Sequence, residues 1–173
     1  MSDEAALKAM VFGDVERELK VTRKVLAAIP LEKFDWKVHE KSMSLGRLAL
    51  HVATLPDWAA GAIAADELDF AKAPRPPERV GTTAELLAVF DKSADRLRGA
   101  MAVFEMGRWN ATWTMRNGEK VFTSQPRPLV FRIWSVNHLV HHRAQLCVYL
   151  RRLGVAVPTV YFNTADDPTW VFE

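Results

Sequence analysis

The segment VNHLVHHRAQL, residues 136–146, holds three of the five histidines of the chain inside a pattern that predicts a helix. His138 and His142 are four positions apart, and residues at that spacing lie one above the other on one face of a helix. His138 and His141, three positions apart, form a competing pair. Helical phase favours the first pair, because His141 lies about 100° around the helix from His142. The segment therefore predicts two imidazoles that can point at one metal ion.

A further histidine lies on the inward face of a second predicted helix, for which Ser44 is a suitable N-cap. The inward positions of that helix are Leu48, His51, Leu55, Trp58 and Ala62. A buried imidazole needs a polar partner, which for His51 is either a metal ion or a hydrogen-bonded carbonyl of the core. Trp58 is expected to pack in the core, with a place in the wall of a pocket as the alternative.

Three neutral imidazoles that converge inside a helical bundle suit zinc, nickel or a similar divalent ion. The predicted metal site is therefore His51, His138 and His142. Histidines held by hydrogen bonds without a metal are the alternative. Leu139 follows His138, so the segment lacks the His-Glu-x-x-His pattern, and a peptidase is disfavoured. His39 lies in a polar connection and fits no part of this site.

Four stretches of the chain show helical periodicity. The first covers residues 3–28 and ends before Pro30. The second contains Pro56, which predicts either a kink or a break with Thr54 capping a new helix. The proline-rich residues 71–81 after this helix predict a loop.

The third helix follows a capping box of Thr82 and Glu85. Its apolar face is predicted to be Leu86, Phe90, Ala94, Leu97, Met101 and Phe104. The fourth helix has Pro128 in its first turn and is expected to end before Gly154. The residues after that glycine are predicted to form an extended tail.

Between the third and fourth helices the apolar period changes to that of strands. Asn117-Gly118, inside residues 113–122, is the strongest short-range signal for a two-residue hairpin turn. Four amphipathic helices with one small β-hairpin between the third and the fourth predict an all-α four-helix bundle. A chain of 173 residues suits a single domain over residues 1–173.

The composition, with 49% hydrophobic and 25% charged residues, is typical of a globular protein. A net charge of +2 and scattered basic residues give no reason to expect a nucleic-acid partner. No apolar run approaches the ~18 residues of a membrane span, and the acidic N-terminus lacks a signal-peptide pattern. The single cysteine, Cys147, excludes an intrachain disulfide, so we expect a cytoplasmic protein without a membrane partner. Cys147 lies roughly 140° around the helix from His142, which predicts a buried structural thiol.

Two histidine-bearing segments and the tail of the chain are similar to those of the DinB/YfiT-like metalloprotein superfamily. The three segments are LGRLALHVA at residues 45–53, NHLVHHRAQL at residues 137–146 and VPTVYFNTADD at residues 157–167. Phe162 stands where that family commonly has a glycine after the tyrosine. The resemblance covers essentially the whole chain. It implies an up-down-down-up four-helix bundle, a homodimer, and a divalent ion bound by the matching residues His51, His138 and His142.

Relatives of known activity include thiol-dependent S-transferases that use bacillithiol or mycothiol, and a mycothiol-dependent maleylpyruvate isomerase. The resemblance implies a metal-dependent enzyme of the thiol S-transferase or hydrolase type that acts on a small-molecule substrate, with a low-molecular-weight thiol as a further cofactor. Three histidines leave a fourth position on the ion, which would lower the pKa of a bound water or thiol. The alternative is a non-catalytic dimeric binding or stress-response protein with a structural or vestigial metal, because no general base is evident in the sequence.

Three residues that follow His142 are assigned predicted roles. Gln145, one turn further along, is a candidate for orienting the substrate or a bound water. Tyr149 is a candidate for contributing its hydroxyl group to the site. Their alternatives are a hydrogen bond to the backbone for Gln145 and simple packing for Tyr149. Arg143 points away from the site by helical phase, so an ion pair or an interface is expected there.

Overall fold

The computed structural model describes residues 3–73 and 77–168 of the chain. Its α-helices are α1 (Asp3–Phe12), α2 (Val15–Ala27), α3 (Leu45–Ala64), α4 (Thr83–Val103), the short α5 (Arg127–Leu129) and α6 (His138–Arg152). Its strands are β1 (Glu67–Asp69), β2 (Thr112–Asn117) and β3 (Lys120–Pro126). A π-helix, Val130–Asn137, joins α5 to α6, and 3₁₀ turns lie at Leu31–Lys33 and Met106–Arg108.

The predicted four-helix bundle is confirmed, because α2, α3, α4 and α6 pack around a shared apolar core. Side chains that these helices bury in it include Leu19, Leu26, Leu48, Leu55, Leu86, Phe90, Leu146 and Leu150. Each such side chain favours folding by about 1.5–3 kcal/mol relative to its exposed state. The predicted face of the third helix is buried from Leu86 to Leu97, while Met101 is half-buried and Phe104 follows the end of α4. None of the described helices combines the length and the apolar character needed to cross a membrane.

The first helix differs from the single helix predicted for residues 3–28, because the chain bends between α1 and α2. A Cβ atom at Gly13 would lie 2.3 Å from the carbonyl oxygen of Ala9, so the bend requires a glycine. The apolar pattern runs across the bend from Val11 to Val15, which is why periodicity alone predicts one helix.

Pro56 lies inside one continuous helix, α3. The predicted alternative of a break, with Thr54 as the cap of a new helix, is therefore wrong. The Thr54 hydroxyl is 3.1 Å from the carbonyl oxygens of both Leu50 and His51 and can donate to either. It thus bonds the backbone of the turn that leads into the proline, where one helical hydrogen bond is missing.

The predicted helix caps are confirmed. The Ser44 hydroxyl accepts a hydrogen bond from the backbone N–H of Arg47 at 3.4 Å. Thr82 and Glu85 form the capping box of α4, in which the Glu85 N–H donates to Thr82 Oγ1 at 3.1 Å. Gly154 follows α6 with a φ of 71°, in the left-handed region that favours glycine.

The predicted hairpin is confirmed as β2 paired antiparallel with β3. Its two loop residues are Gly118, with a φ of 59°, and Glu119, so the loop lies one position later than Asn117-Gly118. A third strand, β1, pairs parallel with β2 and has no signal in the sequence, because three residues are too few for a periodic pattern. The Asp69 carboxylate of β1 accepts a hydrogen bond from the Gly118 N–H at 2.9 Å, which fastens the hairpin loop.

Two predicted irregular regions extend partly beyond the described residues. Residues 71–73 and 77–81 contain no helix or strand, as predicted for the loop, and residues 74–76 lie outside the described part. The tail has no helix or strand over residues 155–168, and residues 169–173 also lie outside that part.

Arg127 is fully buried where α5 meets the end of α3. Its guanidinium donates to the carbonyls of Ala62 and Ala65 and to the carboxylate of Asp66. The last carbonyls of a helix have no helical partners, so a buried cation at that end satisfies them. This contact joins the two stretches of chain that carry the candidate histidines.

Candidate metal centre

His51 on α3 faces His138 and His142 on α6. The Nε2 atoms of His51 and His138 are 3.3 Å apart, and those of His138 and His142 are 2.8 Å apart. Each of the three offers a ligand atom within 4.8 Å of the others, and no carboxylate or thiol of the described residues belongs to this group. The structure thus brings together the three predicted histidines in a group that could hold a metal ion.

Hydrogen bonds at the opposite ring nitrogen set the tautomers of two of these histidines. His138 Nδ1 donates to the carbonyl oxygen of Trp134 at 3.2 Å, and His142 Nδ1 donates to Gln145 Oε1 at 2.7 Å. Because a neutral imidazole carries one proton, Nε2 of each ring then presents a lone pair. Partners of this kind orient metal-binding histidines and raise their basicity.

The facing nitrogens fit a divalent ion. Two unprotonated Nε2 atoms 2.8 Å apart repel each other, and a cation bound by both would relieve this repulsion. Zinc–nitrogen bonds of about 2.0–2.1 Å place two ligands of a tetrahedral ion about 3.3–3.4 Å apart. The 3.3 Å between the His51 and His138 nitrogens agrees with that spacing, whereas the 2.8 Å between the His138 and His142 nitrogens is shorter. A set of three neutral nitrogens is therefore suited to zinc, nickel or a similar ion.

The π-helix before His138 belongs to the architecture of this centre. The backbone N–H of His138 donates to the Ser135 carbonyl, three residues earlier, at the point where the π-helix ends. The Trp134 carbonyl, which an α-helix would pair with that N–H, accepts from the His138 ring instead. Segments of π-helix are frequent at functional sites, and no side-chain pattern in the sequence predicts one here.

The protonation states of the histidines favour metal binding. Burial lowers the pKa of His51 to about 4, and the neighbouring His142, His138 and Arg47 add to this effect. Burial is also the main reason why the pKa values of His138 and His142 are lowered. All three rings are therefore neutral at pH 7, as metal ligands must be.

A cavity of about 700 Å³ lies beside His51. Its lining residues include Phe34, Met43, Arg47, Leu50, Thr54 and residues 77–79. Sequence reasoning missed Arg47, although its position four residues before His51 places it on the same helical face. A small molecule in this cavity would lie next to the histidine group.

The two predicted helper residues have different partners. Gln145 holds the ring of His142 through the hydrogen bond to Nδ1. Tyr149 is buried and donates its hydroxyl to the carbonyl of Met43 at 3.0 Å, which agrees with the packing alternative. The structure thus places Gln145 behind a candidate ligand and Tyr149 in the core.

The remaining residues singled out from the sequence lie outside the histidine group. His141 is exposed, with its ring centroid 4.9 Å from that of His142. His39 is exposed, and its Nδ1 accepts from the backbone N–H of Lys41. Trp58 is half-buried and packs against Phe70. It does not line the cavity beside the histidines.

Arg143, next to His142 in sequence, forms the ion pair expected of it. Its guanidinium is 2.7 Å from the Glu18 carboxylate and 3.1 Å from the Thr22 hydroxyl, and both Arg143 and Glu18 are buried. A second nitrogen of Arg143 donates to the Tyr161 hydroxyl at 2.6 Å. This network ties α6 to α2 and to the tail.

Cys147 is half-buried rather than buried, and its side chain packs against the main core, which agrees with the predicted structural role. Burial raises the pKa of its thiol above the ordinary value, so the thiol is protonated at pH 7. A protonated thiol outside the histidine group is not suited to act as a nucleophile at this centre.

Comparison with known proteins identifies the family. The profile of the DinB family matches residues 1–170. The chain belongs to the DinB family. A DinB-like protein from Bacillus subtilis has a similar structure, with a TM-score of 0.67, 16% sequence identity, and coverage of 87% of this chain and 96% of that one. A DinB-like protein from Bacillus cereus aligns with a TM-score of 0.64 and 21% identity over 87% of this chain and 95% of its own. No significant match was found among curated proteins.

Proposed function

We propose that this DinB-family protein binds a divalent ion, zinc or nickel, through His51, His138 and His142, and that it is a metal-dependent enzyme. The observation that carries the proposal is the convergence of three Nε2 atoms, two of them facing at 2.8 Å. The bonds from Nδ1 to the Trp134 carbonyl and to Gln145 hold two of the rings in the tautomer that a ligand needs.

Transfer of a low-molecular-weight thiol is the reaction that these residues favour. A bound divalent ion would lower the pKa of a thiol or of water toward neutrality. In the transfer, the thiol sulfur bonds to an electrophilic carbon of the substrate, the bond to the leaving group breaks, and the thiol proton passes to solvent. No carboxylate of the described residues belongs to the histidine group, and a thiol needs a general base less than water does. Hydrolysis by the same centre is therefore the less favoured reaction.

The thiol must come from outside the chain, because Cys147 has a raised pKa and packs against the core. The cavity beside His51 offers about 700 Å³ for a small-molecule substrate. We further propose a cytoplasmic homodimer. The single cysteine supports the reducing compartment, and two exposed apolar residues, Leu129 at the end of α5 and Ile133 in the π-helix, offer a surface for a second copy.

A non-catalytic metal-binding or stress-response protein is the second candidate. The observation in its favour is again that the described residues supply no carboxylate to the histidine group as a general base. The two candidates share the metal site and differ in turnover.

Metal analysis of protein purified without a histidine tag tests the site. We expect one equivalent of divalent ion in the wild type and in His141→Ala, whose imidazole is exposed and outside the group. His142→Ala should lose the ion, because it removes one of three ligands. Unchanged metal content in His142→Ala would contradict the assignment. The protein is then assayed with electrophilic substrates and added thiols. Turnover that stops when the metal is chelated supports the enzyme. The absence of metal-dependent turnover supports the non-catalytic binding protein.

A further inference from the structure

The cavity beside His51 is polar on one side and apolar on the other. Phe34, Met43 and Leu50 contribute its apolar lining. Four charged residues also line it, namely Asp35, Arg47, Glu78 and Arg79. A ligand that fills this cavity therefore needs both an apolar body and a charged or polar end.

The two arginines of the cavity differ in whether a partner already neutralises them. Arg79 donates to both carboxylate oxygens of Asp35 at 3.1 Å, so the charges of these two side chains largely neutralise each other. The Arg47 guanidinium has no hydrogen-bond or ion-pair partner among residues 3–73 and 77–168. Glu78, the remaining charged group, lies in the loop before α4 and is exposed.

Arg47 is also the cation nearest the candidate centre along α3. It precedes His51 by one turn on the same face, which corresponds to a rise of about 6 Å along the helix. A ligand bound by Arg47 at one end would therefore need only a few carbon atoms to place its other end at the histidine group. An arginine presents paired N–H donors that match the two oxygens of a carboxylate.

We propose that Arg47 binds an anionic oxygen group of the substrate, such as a carboxylate, and holds the opposite end of the molecule at the histidine group. The substrate class is thus a small molecule with an anionic oxygen group, a short apolar body and a metal-binding end. This inference rests on the proposed function, because the histidine group defines where the reacting end lies.

Paired titrations followed by nuclear magnetic resonance test the assignment. The probes are 4-mercaptobutyrate and 4-mercapto-1-butanol, which have the same chain length and differ in charge. Each is added to the metal-free and to the zinc-loaded protein. In the wild type the carboxylate probe should bind about fivefold to tenfold more tightly than the alcohol, as expected for a charge-assisted contact with the exposed Arg47.

Arg47→Gln should abolish this preference in both forms of the protein while leaving the affinity for the alcohol unchanged. Arg152→Gln is the matched control, because it removes an exposed arginine at the end of α6 that does not line the cavity, and it should retain the preference. A preference absent in the wild type, or retained in Arg47→Gln, overturns this inference. Zinc that strengthens neither thiol counts against the proposed thiol chemistry instead, so the two failures are distinguishable.

Discussion

At the scale of single residues, the metal affinity of the candidate centre is expected to depend on the hydrogen-bond partners of the histidine rings. Gln145 Oε1 accepts from His142 Nδ1 at 2.7 Å, and this bond keeps Nε2 unprotonated and aimed at the other rings. The same residue is the natural candidate for orienting substrate when only the sequence is considered. The structure instead gives it a partner within the protein.

Replacing Gln145 should therefore change metal affinity. Gln145→Met keeps the size of the side chain but removes the acceptor, and we expect the affinity for zinc to fall by about 10–100-fold. Gln145→Glu keeps an acceptor and should remain close to the wild type. Competition with a chelating dye measures both variants. Wild-type affinity in Gln145→Met would show that the hydrogen bond does not support the ligand.

At the scale of elements, α3 carries His51 and lines the cavity, and its two glycines have opposite surroundings. A Cβ atom at Gly46 would lie 2.0 Å from the ring of Phe34, which is itself buried and part of the cavity wall. A Cβ atom at Gly61 would meet no atom within 4 Å. Gly46 thus permits the close approach of the preceding connection to α3.

Alanine at these two positions should have effects of opposite sign. Gly46→Ala should lower the free energy of unfolding by about 1–3 kcal/mol, because the ring of Phe34 must move. Gly61→Ala should raise it by about 0.5–1 kcal/mol, because alanine is the better helix former. Urea denaturation compares the two variants directly. Equal stabilisation by both substitutions would contradict the close packing at Gly46.

The elements that sequence reasoning predicted are those with a local signal. The amphipathic pattern of α3 and the capping box at Thr82 lie within a few residues of each other, so local chemistry defines them. The bend at Gly13 was missed because the apolar pattern continues through it. The π-helix, Val130–Asn137, was missed because it differs in backbone hydrogen bonding rather than in side-chain pattern.

At the scale of the whole molecule, long-range polar contacts fix how the helices and the tail are arranged. The buried pair of Arg143 and Glu18 joins residues 125 positions apart. Only part of this was predictable: helical phase turned Arg143 away from the histidines, but no sequence pattern identified its partners. The three histidines were predictable because two share one helix and the third shares the inward face of another.

Breaking the buried pair should destabilise the protein strongly. Arg143→Met leaves the buried Glu18 carboxylate without its cation, and we expect the free energy of unfolding to fall by about 3–5 kcal/mol. Adding Glu18→Gln should recover most of this loss, because no charge is then left unpaired. The exposed pair of Arg23 and Asp91 provides the control. Arg23→Met should cost about 0–1 kcal/mol in the same urea titration. A similar cost for both arginines would contradict the role given to burial.

The facing nitrogens of His138 and His142 have a consequence for the protein in the cell. Both nitrogens would donate lone pairs to an ion bound at the centre, so the folded chain with metal would be more stable than the folded chain without it. An ion that binds only the folded state adds stability in proportion to the logarithm of its free concentration, about 2.7 kcal/mol at one hundred times its dissociation constant. The lifetime of this protein against cellular proteases would then follow the supply of the ion, and its abundance would fall when that metal is scarce.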